Sequence, residues 1–277
     1  MFEEWFAGYT ADVRSRISGA SVVRDDPLTE WGWKSEDLPA VLDEVDLKIE
    51  HTYRVRDRCS EIADWLKLSA RGRELASAVG LLHDIGRFKQ AIQFGTMDDR
   101  VTGSHGEMSA DIFLRDAPDI GLNNEEKDII ANALRYHNVY KLPELTGRSL
   151  LFTQIARDGD KLDLFYFYID KTQKRGFRHI MSEDDGEYSP EMLEGVLNGK
   201  NLQISNIQNK NDRMLLQTSM IFDLNFGYSF RLMLKHDYLA HLTGVADGTA
   251  DETMIKVYNY AVNRMKGAVD LNENIAD

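Results

Sequence analysis

Apolar side chains recur at helical spacing along most of this chain, and that one period constrains the fold more than any other feature. His51, Val55, Cys59, Ile62 and Leu66 fall at i, i+4, i+8, i+11 and i+15, which places them on one helix face. Leu75, Ala78, Val79 and Leu82 form the next stripe, followed by Ile85-Gly86, where glycine can close a helix. Ser104-His105-Gly106-Glu107 reads as a capping box with Met108, Ile112 and Phe113 behind it. Ile129, Ile130, Ala133, Leu134 and His137 make a further face. Residues 150–170 read as a strongly apolar helix, and helical spacing resumes over 191–268 after a polar break near Ser182–Pro190. Period-two alternation is scarce, the best short stretch running from Leu202 to Ile207. The expected fold class is all-α.

Composition narrows the function classes. A chain of 277 residues, 43% hydrophobic, can bury a sizeable core without disulfide staples. Asp and Glu number 46 against 33 Lys and Arg, a net charge of -13, which repels polyanions and argues against non-specific nucleic-acid binding. The acidity is uneven. Residues 1–50 carry 12 acidic and 5 basic side chains, whereas residues 51–100 carry 9 basic and 7 acidic ones, so the middle of the chain can tolerate a small anion. Asp25-Asp26-Pro27 and Glu36-Asp37-Leu38-Pro39 read as turns between short helices. The single Cys59 excludes an internal disulfide and a cysteine-cluster metal site. No apolar run approaches the roughly 20 residues of a membrane helix, and Met1-Phe2-Glu3-Glu4-Trp5 lacks the basic start of a signal peptide. A soluble cytoplasmic protein with no membrane partner is expected.

The chemistry-bearing residues are His51, His83, Asp84, His105 and His137, with a later acidic cluster, Asp158-Gly159-Asp160-Lys161-Leu162-Asp163. Imidazole and carboxylate are the ligands that first-row divalent metals take from nitrogen and oxygen sites. Each histidine taken singly reads more readily as a packed core residue or an exposed one than as a ligand. Their order carries the argument. His83-Asp84 follows the small, apolar run Ala78-Val79-Gly80-Leu81-Leu82, so the pair is expected to be partly buried, where a metal would satisfy both groups. The second dipeptide, His236-Asp237, followed by His241, reads as an ordinary helix surface.

The order His51, His83-Asp84, His105, His137, Asp160 resembles the HD-domain metal-dependent phosphohydrolase superfamily in its two-metal form. Leu81-Leu82-His83-Asp84-Ile85-Gly86-Arg87-Phe88, Ser104-His105-Gly106-Glu107-Met108-Ser109-Ala110 and Arg157-Asp158-Gly159-Asp160-Lys161-Leu162-Asp163 are similar to its motifs. The departure is Gly159, where that family usually has alanine. The resemblance covers about residues 48–170. It implies a helical core over 46–180, preceded by a helical segment at 1–45 and followed by a helical lobe at 181–277. It also implies one divalent metal on His51, His83, Asp84 and Asp160 and a second on His105 and His137, with Asp84 bridging. Asp158 is the reserve for the closing carboxylate. Manganese, iron, nickel or cobalt suit such ligands, magnesium less so.

Two such ions suit hydrolysis of a phosphoester by activated water, and the implied substrate is a nucleotide or another small phosphorylated metabolite. Arg54, one turn after His51, and Lys161, next to Asp160, are the cations expected at the phosphate, with Arg87 and Lys89 behind them. The di-iron oxygenases of the same superfamily share the ligand set, and a nucleotide-sensing module without catalysis is a third reading. The short gaps, 22 positions from His83 to His105 and 23 from His137 to Asp160, look more like the hydrolase branch.

Overall fold

The computed structural model describes residues 1–20, 38–118, 121–169 and 186–269. The described residues are helical with no strand, so the protein is all-α. They cluster into two compact units: Met1–Asp64 with Leu68–Gly159, and Trp65–Lys67 with Asp160–Asp277. Among the described residues, no helix is long and apolar enough to cross a membrane.

The first unit holds α1 (Phe2–Ala20), α2 (Leu38–Trp65), α3 (Ala70–Leu82), α4 (Ile85–Phe94), the short α5 (Asp99–Thr102), α6 (His105–Asp116), α7 (Asn124–Tyr136) and most of α8 (Gly147–Ile169). α1 lays Phe2, Phe6, Val13 and Ile17 into the core and packs on α3 and α4. Phe6 meets Tyr53 and Phe88 edge-on, with ring centroids 5.5 and 5.8 Å away. The periodic stripes do what their spacing demands: Val55, Cys59, Ile62, Leu75, Val79, Leu82, Ile129, Ile130 and Leu134 are all buried. Each such side chain contributes about 1.5–3 kcal/mol by leaving water.

Several local readings change. Asp25-Asp26-Pro27 lies outside the described residues, as do Glu36-Asp37 and residues 182–185 of the polar break. Leu38 and Pro39 are the first residues of α2 rather than a turn; proline costs nothing there, because the first amides of a helix have no internal acceptor. His51 therefore sits in the middle of a 28-residue helix. Gly86 does not close a helix. α3 ends at Leu82, and Gly86 lies in the first turn of α4, where a β-carbon would stand 2.3 Å from the His105 carbonyl oxygen. Ser104 does cap α6, but the Glu107 carboxylate pairs with Arg135 on α7. The reciprocal capping box belongs to Asn123 and Glu126 at the start of α7, where Glu126 also receives Arg71 of α3 at 2.6 and 2.8 Å.

The second unit contains α9 (Pro190–Leu197), α10 (Lys210–Ser219), α11 (Gly227–Lys235), α12 (Tyr238–Leu242) and α13 (Glu252–Val269). Met192, Val196, Leu215, Met254 and Val257 form its core. Asp212 is fully buried and accepts hydrogen bonds from Ser189 Oγ, the Ser189 amide and the Gln208 amide at 2.7, 2.9 and 3.1 Å, which ties the start of α9 to α10. Leu202–Ile207 is not a strand. Ile204–Asn206 is a single 3-10 turn, and the Leu202 amide donates to Ser219 Oγ at 3.0 Å. Alternation alone makes no strand without a neighbour to complete its ladder.

The departure at Gly159 has a steric cause. A β-carbon there would lie 2.7 Å from Cys59 Sγ, and one at Gly80 would lie 2.9 Å from the same sulfur. Cys59, whose thiol faces the Ile155 carbonyl at 3.6 Å, fills the space that alanine would occupy. Gly159→Ala should therefore destabilise the protein by about 1–3 kcal/mol through overpacking. The double variant Cys59→Ala/Gly159→Ala should recover most of that loss, as measured by urea unfolding.

Candidate metal centre

The His83-Asp84 pair is the two-residue joint between α3 and α4, and both residues are buried. Asp84 stands where a helix N-cap belongs, yet its carboxylate makes no capping bond. Aspartate at this position normally accepts an orphan amide. Here the Gly86 amide donates to Ser109 Oγ at 2.9 Å instead, and the Asp84 carboxylate faces the interior.

Its two oxygens face different histidines. Oδ2 lies 3.5 Å from both His51 Nε2 and His83 Nε2, while Oδ1 lies 3.2 Å from His105 Nε2 and 3.8 Å from His137 Nε2. Within each pair the Nε2 atoms approach closely, at 3.2 Å for His51 and His83 and 3.1 Å for His105 and His137. All four rings are buried.

The outer nitrogens decide what the inner ones can do. His83 Nδ1 stands 2.8 Å from the Gly80 carbonyl and His137 Nδ1 2.8 Å from the Leu134 carbonyl, each three residues back along its own helix. His105 Nδ1 faces the Asp99 carboxylate at 2.7 Å. A carbonyl or carboxylate there accepts the ring N–H, so in the neutral ring Nε2 carries the lone pair. His105 and His137 thus present two lone pairs to one another at 3.1 Å. Such an arrangement repels unless a cation lies between them, and neutral imidazoles held this way are the donor set of a divalent metal. Burial, with Arg87 nearby, pushes His105 down to about 4 despite Asp99, so its ring is neutral near pH 7. Burial opposes the charge on Asp84, but Lys48 and the surrounding histidines hold its carboxyl well below the usual range.

His51, His83 and Asp160 offer ligand atoms within 4.8 Å of one another, and so do His83, Asp84 and His137. Asp160 follows Gly159 on α8, the helix whose close approach to α2 was described above. Asp158 is fully buried and belongs to neither group.

The expected cations make ion pairs of their own. Arg54 lies 3.7 Å from Glu50, and Lys161 is paired with Asp223 at 2.7 Å within the second unit. Arg87 points its buried Nε at Asp84 Oδ1 from 3.7 Å, while its Nη1 reaches Asp99 at 2.9 Å and the Met97 carbonyl. Two residues at the centre escaped the sequence reading. Lys48 Nζ lies 2.6 Å from Asp84 Oδ2, and Asp99 holds His105. Lys48 was detectable at i-3 from His51 on the same helix face, whereas Asp99 has no periodic relation to its partner. His236, Asp237 and His241 are exposed, as expected, but His236 and Asp237 form the turn between α11 and α12 rather than a helix surface.

Arg157 supports the second histidine pair. Its Nη1 donates to the carbonyls of Tyr136, His137 and Val139 at 3.0, 3.1 and 2.7 Å, satisfying the end of α7 where His137 stands. Asp99 does the same for His105 from the outside. Asp99→Asn should leave the fold intact and weaken binding at the His105–His137 side about 10–100-fold. Calorimetric titration with manganese would read this as the weakening of one of two binding steps.

A scan against protein-family models matches residues 49–164 to the HD domain, a family composed mostly of metal-dependent hydrolases. The matched span contains all four buried histidines together with Asp84 and Asp160. No curated protein and no solved structure matches the chain significantly. The family match and the buried histidine and aspartate cluster agree with each other: residues 49–164 match the HD domain, and the cluster lies within them.

Proposed function

We propose that the protein is a metal-dependent phosphohydrolase acting on a nucleotide or another small phosphorylated metabolite. The observation that carries this reading is the Asp84 carboxylate, with one oxygen facing His51 and His83 and the other facing His105 and His137. A carboxylate used from both sides is the shape of a bridging ligand. His51, His83, Asp84 and Asp160 would hold one divalent ion, and His105 and His137 a second, with manganese, iron, nickel or cobalt favoured by the donor atoms. Bound there, two such ions supply water activation and charge neutralisation for phosphoester cleavage.

The chain's own residues do the rest. The Gly80 and Leu134 carbonyls and the Asp99 carboxylate fix His83, His137 and His105 with Nε2 inward. Arg87, anchored by Asp99, adds positive charge beside Asp84. The acidic balance of the chain disfavours long polyanions as substrates and leaves this local cationic site to small ones.

Elemental analysis should find about two transition-metal ions per chain, retained because each has several ligands. Asp84→Ala and His83→Ala should lose both, since His83 and Asp84 stand at the junction of the two halves. His137→Ala should keep about one and lose more than about 100-fold in rate. His236→Ala and His241→Ala should match the wild type. A screen of phosphomonoesters, diesters and nucleotides against several metals should show phosphate release that Asp84→Ala abolishes. Oxygen consumption without phosphate release would instead identify an oxygenase, and tight nucleotide binding without turnover a sensor.

A further inference from the structure

Lys48 is the cation in closest contact with the Asp84 carboxylate, and none of the roles assigned above uses it. It lies on α2 three residues before His51, about one helical turn away along the same face. Its Nζ stands 2.6 Å from Asp84 Oδ2, the oxygen that also faces His51 and His83. Three nitrogens thus converge on a single oxygen. The lysine differs from its neighbours in exposure: its side chain is 23% accessible, whereas those of His51, His83 and Asp84 are 7%, 0% and 3%. Of these four side chains it is the one with the most contact with solvent.

The other cations are less able to move. Arg87 is anchored by Gln90, Asp99 and the Met97 carbonyl. Lys161 is paired with Asp223. Lysine carries its charge on a flexible four-carbon stem with three rotatable donors, which suits a cation that must change partners.

We propose that Lys48 is a displaceable cation of the metal centre. It neutralises Asp84 Oδ2 until a divalent ion takes that oxygen, and it then presents its ammonium to the phosphoryl group of the substrate. The proposal rests on the phosphohydrolase reading and deepens it. A divalent ion and an ammonium on the same carboxylate oxygen repel one another, so binding of the ion weakens the hold of Asp84 on Lys48. The released ammonium remains tethered within a side-chain length of the ions, where a phosphate oxygen bound to them can accept its hydrogen bonds.

The test uses the full chain, as the wild type and as Lys48→Met and Lys48→Arg. Manganese is titrated into chelator-treated protein, and inorganic phosphate into manganese-loaded protein, both by calorimetry. In Lys48→Met the competing charge is gone, so the dissociation constant of the tighter manganese step should fall several-fold, while that of phosphate should rise about tenfold. Lys48→Arg should stay close to the wild type in both. If Lys48→Met does not survive chelation, the metal arm is read from Lys48→Gln, and phosphate is titrated into protein purified in manganese. Unchanged or weaker manganese binding overturns the displacement, and unchanged phosphate binding overturns the contact with substrate. Wild-type protein that binds no manganese would overturn the phosphohydrolase reading itself, an outcome distinct from a wild type that binds two ions and a Lys48→Met variant that behaves identically.

Discussion

A single buried carboxylate organises the first unit. Asp84 gives up the helix amide it would ordinarily cap, Ser109 takes that amide, and the freed charge stands among four imidazoles, a lysine and an arginine. Burying an anion without such company would cost several kcal/mol. Each surrounding group therefore compensates a charge that the fold has placed there deliberately in the physical sense: the backbone is satisfied elsewhere so that the side chain is available. The tautomers of His83, His105 and His137 follow from the same logic, because their outer nitrogens are fixed by acceptors and their inner ones are left with lone pairs.

Bringing helices close enough for this requires missing side chains beside the ligands. Gly80, Gly86, Gly106 and Gly159 each lie within three residues of a histidine or aspartate of the cluster, and at each a β-carbon would meet a neighbouring helix at 2.9 Å or less. At Gly106 the obstacle would be the Arg135 carbonyl at the end of α7, next to His137. Side-chain reach is short for His and Asp, so the backbones must approach before the rings can converge. Cys59 stands at two of these crossings, which explains why a small but not minimal residue occupies the centre of the α2 stripe.

Much of this was legible in the residues themselves. The apolar period announced the helices because a half-buried helix must repeat its inward face every three to four residues, and the order of histidines and aspartates announced the cluster. Helix ends were less legible: Gly86 resembles a helix stop and Leu38-Pro39 a turn, since those residue types serve both purposes. The cations were the least legible. Adjacency along a helix turns a side chain by about 100 degrees, so a place next to Asp160 did not reveal that Lys161 pairs with Asp223.

The sequence by itself determined that the chain is helical, that its candidate ligands are imidazoles and carboxylates, and that Asp84 adjoins a histidine where a helix ends. The resemblance already implied the pairing of His51 with His83 and of His105 with His137 about Asp84; the tertiary structure decided which carboxylate oxygen each pair faces. It also decided that Lys48 touches Asp84 and that Asp99 faces His105. Those are facts of distance between segments far apart in the chain, and no local period encodes them.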